Sequence, residues 1–162
     1  RLLRSYLGEI KPGDETNREG HAAKVYFNAV FGMDFVRGSD SPVNSALNYG
    51  YGIILSAVNR EIAINGYITQ LGLFHNNVFN HFNLGSDLME PFRFLVDRCV
   101  YYMAPAEFGS DEKRELVAIL NSSVRIDNAD QTVLNAIKIY VKSVFDSIPR
   151  NDPSGIKFLE RS

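Results

Sequence analysis

Between Ser41 and Gly66 one pattern constrains the chain more than any other: Leu47, Tyr51, Ile54, Leu55, Val58 and Ile62 recur mostly at steps of three and four residues. That is the period of an α-helix with one face turned to a core, whereas strand side chains alternate. Ser41-Pro42 supplies a cap and a first-turn proline, and Asn65-Gly66 is the stop. The same period predicts further helices. One runs from Thr16 to Phe31, with Thr16 as cap, Glu19 at the third helical position and Gly32 as terminator. Others are expected from about Tyr67 through His75, from Asp87 to Met103 ahead of Pro105, and from Ser110 to Ser122. The last, Asp130 to Ile148, carries a stripe of Val133, Leu134, Ile137, Val141, Val144, Phe145 and Ile148. Alternating runs flanked by hairpin turns are missing, as are internal repeats. The expected fold is all-α, a multi-helix bundle over residues 1–148, followed by a flexible tail at 149–162.

A chain of 162 residues suits a single domain, long enough to bury roughly 70% of its extended-chain surface. No apolar run approaches the ~20 residues that cross a bilayer. No basic-then-apolar leader opens the chain either, so no membrane association and a cytoplasmic location are expected. A single cysteine, Cys99, excludes an internal disulfide and a thiolate zinc cluster, and is read as a small buried apolar group. The net charge of −2 argues weakly against a free-standing nucleic-acid binder. Its distribution says more. Between residues 38 and 90 Arg60 is the sole cation, set against Asp40, Glu61, Asp87 and Glu90. Those carboxylates either face water or take a partner from elsewhere, and a metal ion is one such partner.

Three candidate ligand groups are expected on three helices, and each has a plain structural alternative. Glu19 completes a capping box with Thr16. His75, beside Leu71 and Phe74, suits a hydrogen-bonded core histidine. Asp87 and Glu90 suit acids at the positive end of a helix dipole. Spaced three apart, those two acids share a helical face, and Pro91 loosens the turn that carries them. Taken together, one imidazole and two or three carboxylates form a coherent ligand set for Mg²⁺ or Mn²⁺, with imidazole favouring Mn²⁺. His21, His75 and His81 lack zincin spacing, and neither a phosphate-cradling GxxxxGK loop nor a GxSxG elbow is present.

Three stretches carry a resemblance: "NREGHAAKVYF" at 17–27, "NSALNYGYGIIL" at 44–55 and "LGLFHNNVFNHFNLGSDLMEPFR" at 71–93. Together and in this order they resemble the first CRISPR-associated (Cas) protein, the spacer-acquisition integrase, and in particular its type II members. The resemblance runs from about Ser5 to the last helix. It implies a metal-dependent DNA integrase and endonuclease of the bacterial cytoplasm, acting in antiviral defence. Family ligand positions fall on Glu19, His75 and Glu90, as catalytic and metal-binding residues, and a further acid near the metal falls on Asp87. Glu90 stands where many relatives have aspartate, and Phe94 replaces a proline common after "EPFR". Family members begin with a small β-rich domain that forms the homodimer. Nothing here reads as one, so the chain is expected to be the helical catalytic domain alone.

The chemistry the resemblance implies is in-line attack on a DNA phosphodiester by the 3′-hydroxyl of an incoming fragment, assisted by Mg²⁺ or Mn²⁺. Implied partners are double-stranded DNA, a second Cas adaptation protein and, in the full-length protein, a second copy. Arg93 is expected either to touch phosphate or to pair with Asp97 four residues on. Two other readings remain open. One is a nuclease that cleaves branched DNA by water attack; the other is a non-enzymatic helical interaction module whose acids and histidine are structural.

Overall fold

The structure, a computed structural model, describes residues 18–160. Its helices are α1 (Arg18–Phe31), α2 (Pro42–Ile64), α3 (Asn83–Met89), α4 (Arg93–Met103), α5 (Ser110–Ala118) and α6 (Val133–Ser147), with a short hairpin of β1 (Ser123–Ile126) and β2 (Ala129–Thr132) between α5 and α6. The mainly helical bundle expected from the periodicity is present.

The long stripe explains the layout. α2 is the central helix and packs against α3, α4, α5 and α6, placing Leu47, Ile54, Val58 and Ile62 out of contact with solvent. Ser41 caps it by accepting from the Asn44 N–H at 3.2 Å, with Pro42 in its first turn. Gly66, at φ +80°, follows its end. On α6, Val133, Ala136, Ile137, Tyr140, Val141, Val144 and Phe145 are buried, and Thr132 caps it from the hairpin by accepting from Asn135 N–H at 3.2 Å. Burial pushes the Tyr140 hydroxyl up to about 12, with the Asp87 charge adding to the shift.

Where α2 crosses α4 the fit is close. A Cβ on Gly50 would meet Val96 Cγ1 at 2.4 Å and Leu116 Cδ2 at 3.2 Å. Gly50→Ala is therefore expected to cost about 1–3 kcal/mol through overpacking, despite alanine's better helix propensity. Urea unfolding checks this: a midpoint unchanged or raised would show that the helices can separate freely.

Several expectations give way. Residues 67–82 contain no helix, only turns, bends and irregular chain: Gly72 interrupts them, and Leu71, Leu73, Phe74, Val78 and Phe79 are exposed, so no core face existed to stabilise a helix there. The helix expected from Asp87 begins earlier, at Asn83, and tightens into a 3₁₀ turn over Glu90–Phe92 before α4. Pro91, lacking an N–H, falls in that turn. The hairpin occupies residues expected to be loop and helix start. It pairs Ser123 with Thr132 and Ile126 with Ala129, turning through Asp127 (φ +53°) and Asn128 (φ +60°), the two positive dihedrals of a type I′ turn.

The segment after Ile148, expected as a flexible tail, returns to the body. Leu159 bridges to Ile126, Glu160 N–H donates to the Arg125 carbonyl at 2.9 Å, and the Phe158 ring lies 5.6 Å from that of Tyr140. No helix among the described residues is long and apolar enough to cross a membrane.

Candidate functional site

The loop between α2 and α3 presents His75, and two polar residues of α3 hold that loop from below. Asn83 and Asp87 lie four residues apart, hence on one face of the helix. Asn83, 4% exposed, donates through its amide to the carbonyls of Gln70 (3.0 Å) and Asn77 (2.9 Å) and accepts from Asn77 N–H at 3.2 Å. It thereby clamps the chain on both sides of residues 73–75. Asp87 takes the middle. One carboxylate oxygen, Oδ2, accepts from the Leu73 N–H at 2.5 Å and the Phe74 N–H at 3.0 Å, and Oδ1 accepts from the His75 N–H at 3.1 Å. The His75 ring completes the set, with Nδ1 2.6 Å from Oδ1. Burial works to raise the Asp87 carboxyl, but the bond from His75 and the three backbone bonds outweigh it, and the group is held below the usual carboxylate range. Gly72 is required where it stands, since a Cβ would fall 2.2 Å from the His75 carbonyl oxygen and 2.9 Å from Asp87 Oδ2.

His75 and Asp87 are therefore brought into contact, though from a loop and a helix and not from two helices. The Asp87 side chain is 8% exposed and that of His75 38%. Among the described residues, Nε2 of His75 makes no hydrogen bond. Glu90 sits in the 3₁₀ turn after α3, half-exposed, and accepts from Arg93 Nη1 at 2.8 Å. Among the described residues, no hydrogen bond or ion pair joins it to His75. Glu19 belongs to α1, but its side chain lies outside the described residues, as does the proposed cap Thr16. Among the described residues, no three His, Cys, Asp or Glu side chains cluster to hold a metal ion.

The acids of the cation-poor middle stretch find separate partners. Asp40 faces solvent. Glu61 is buried and paired with Arg60 at 2.9 Å, Asp87 with the His75 loop, and Glu90 with Arg93.

Arg93 does not pair with Asp97. Its guanidinium lies 4.5 Å above the Tyr51 ring, and Asp97, 5% exposed, accepts instead from Tyr26 Oη at 2.8 Å and from Tyr51 Oη. This network joins α1, α2 and α4, and so fixes the helix that carries Glu19. Burial, then the bond to Asp97, pushes both tyrosine hydroxyls well above their ordinary range. Arg37 braces the same corner: Nη1 donates to Asn44 Oδ1 at 2.9 Å and Nη2 to Asn48 Oδ1 at 2.6 Å. Sequence reasoning missed Asn83, Tyr26 and the role of Asp97. The four-residue spacing of Asn83 and Asp87 was the one available signal for the first of these.

Chemically, the arrangement offers an imidazole nitrogen directed away from a buried carboxylate, with a second, half-exposed carboxylate at the end of the same helix. A nitrogen and a carboxylate oxygen are donors suited to a divalent cation such as Mn²⁺ or Mg²⁺.

Comparison with known proteins gives a consistent picture. Residues 15–125 match the family described as CRISPR associated protein Cas1. The CRISPR-associated endonuclease Cas1 of Neisseria meningitidis serogroup C (strain 8013) is 35% identical over 163 aligned residues, covering 98% of this chain and 54% of that protein. A CRISPR-associated endonuclease Cas1 of Pyrobaculum aerophilum is 38% identical over 109 residues, covering 63% of this chain and 36% of that protein. The chain thus spans about half the length, or less, of these relatives. Among solved structures, a casposase bound to integration product superposes with a TM-score of 0.73 at 22% identity, over 93% of this chain and 55% of that one; this is a likeness of fold.

Proposed function

The chain belongs to the Cas1 family of CRISPR-associated proteins, and on that footing we propose that it is the helical catalytic domain of a divalent-metal-dependent DNA integrase that inserts foreign fragments as new spacers into a CRISPR array. The observation that carries this reading is the His75–Asp87 pair: an imidazole held by a buried carboxylate, its other nitrogen without a hydrogen bond among the described residues, on a loop tied by three backbone bonds to the same carboxylate. Histidine ligands of metals are usually held in this way.

Glu19, His75 and Glu90 would hold the cation, with Asp87 beside them. When bound, Mg²⁺ or Mn²⁺ supplies Lewis acidity at the scissile phosphate and neutralises charge on the leaving 3′ oxygen. The chain's own residues do the positioning. His75 presents Nε2, α3 carries Asp87, and the 3₁₀ turn that follows carries Glu90 three residues on. Arg93 holds one Glu90 oxygen at 2.8 Å and leaves the other to act as donor atom. The buried Asp97 network keeps α1, and with it the backbone of Glu19, in register with α2 and α4. Proposed partners are double-stranded DNA, a second Cas adaptation protein and a second copy of the whole protein. Two copies would supply the avidity that a chain with net charge −2 does not gain from charge alone.

The test supplies the whole protein with Mn²⁺, a DNA fragment bearing a 3′-hydroxyl and a supercoiled plasmid carrying the repeat. Fragment covalently joined at the repeat is the expected result. Cleaved plasmid without joined product would replace integration by hydrolysis, and no reaction at all, with the second Cas protein present, would overturn the enzymatic reading.

A further inference from the structure

We propose that Asp87 is a positioning residue that acts through His75, fixing Nε2 as the imidazole nitrogen offered to the cation, and that it is not itself a ligand. This rests on the metal role proposed for His75. A carboxylate has two in-plane lone pairs on each oxygen, four in all. Four donors already fill them: Leu73 N–H and Phe74 N–H on Oδ2, His75 N–H and His75 Nδ1 on Oδ1. The side chain is also 8% exposed, against 38% for the imidazole it holds, so a cation reaching this corner meets the ring before the acid.

The consequence for the ring follows from the acceptor. Ionised carboxylate oxygens only accept, so a neutral His75 bonded to Oδ1 carries its proton on Nδ1 and its lone pair on Nε2. Free imidazole side chains favour the opposite tautomer, with the proton on Nε2, which cannot ligate through that atom. Asp87 therefore selects the ligating form before any cation arrives. The backbone bonds serve the same end by different means: residues 73–75 are draped over the carboxylate, Asn83 pins the flanks at Gln70 and Asn77, and Gly72 lets the chain pass where no Cβ fits. Loop and ring are set by one side chain.

The test reads the tautomer directly, in metal-free protein at a pH where the imidazole is neutral, by ¹⁵N–¹H correlation spectra of the three histidine rings, with His21→Gln and His81→Gln giving the assignments. Wild-type His75 is expected protonated at Nδ1. In Asp87→Asn, which keeps shape but replaces an acceptor with a donor, the ring is expected to move to the Nε2-protonated form and Mn²⁺ affinity by calorimetry to fall about 10–100-fold. Asn83→Ala, which loosens the flanks without touching the ring, should leave the tautomer unchanged. A wild-type His75 protonated at Nε2, or an Asp87→Asn variant with unchanged tautomer and Mn²⁺ affinity, would overturn the proposal; the first reading needs no variant and stands even if Asp87→Asn does not fold. A wild type that binds no Mn²⁺ would instead remove the metal reading of the site.

Discussion

Replacing His75 with alanine is expected to abolish strand transfer, a loss of more than about 100-fold, since loss of a residue that merely orients a ligand already costs 10–100-fold. The fold should survive. Asp87 holds the loop through three backbone N–H groups that the substitution leaves in place, and the imidazole is one-third exposed. The lost Nδ1 bond costs about 1–3 kcal/mol at most, as a hydrogen bond to a charged acceptor. Gel analysis of joined product and a thermal melt, on the same preparation, check both halves. The helical-module reading expects the reverse, a lower melting temperature with metal binding untouched. A variant that still joined DNA at the wild-type rate would remove His75 from the site.

Asp97→Ala is expected to be the most destabilising polar substitution, by about 2–5 kcal/mol, because it strips a charged acceptor from two buried or half-buried hydroxyls at once. Tyr26 and Tyr51 both donate to it, from α1 and α2 respectively, so three helices lose a common anchor. A second consequence follows in alkali. Burial and the Asp97 bond raise both tyrosines above their ordinary value. In the unfolded chain they release protons near pH ~10, while the folded chain retains them. The folded state then binds more protons, so stability falls as pH rises above that value. In Asp97→Ala burial remains but the bond is gone, and the tyrosine titration followed by absorbance should shift to lower pH. A variant as stable as wild type, or an unchanged titration, would show that water satisfies those hydroxyls.

The long amphipathic helices were legible because their signal is redundant. The stripe of α2 repeats from Leu47 to Ile62 within a helix of 23 residues, with Ser41-Pro42 and Asn65-Gly66 agreeing at both ends. Where the signal was short it misled. Tyr67, Leu71 and Phe74 are spaced like a helical face, yet Leu71 and Phe74 stand 69% and 60% exposed; apolar spacing without a core to face does not make a helix. The hairpin was missed because its strands are four residues each: Ser-Val-Arg-Ile alternates over a single repeat, and Ala-Asp-Gln-Thr carries one apolar residue. Only Asp127-Asn128, both tolerant of positive φ, hinted at the turn.

The candidate site divides the same way. Glu19, His75, Asp87 and Glu90 were singled out by their ligand chemistry and then by a resemblance between motifs, and the family match supports that resemblance. What spacing could not convey is the tie between His75 in the loop and Asp87 on α3, twelve positions apart. It depends on Gly72, Asn83 and three backbone amides acting together, and none of these announces itself as a functional residue. Arg93 shows the converse error: a pair with Asp97 at helical spacing was reasonable, but the 3₁₀ turn at Pro91 brings Glu90 within reach instead.

The most direct measurement is a crystal structure of the Mn²⁺-soaked protein with anomalous scattering at the manganese edge. A single strong peak is predicted within coordination distance of His75 Nε2 and of carboxylate oxygens from Glu90 and Glu19, with Asp87 still bonded to Nδ1. A peak elsewhere, or none beside His75 at saturating Mn²⁺, would contradict the assignment of this corner as the metal-binding centre.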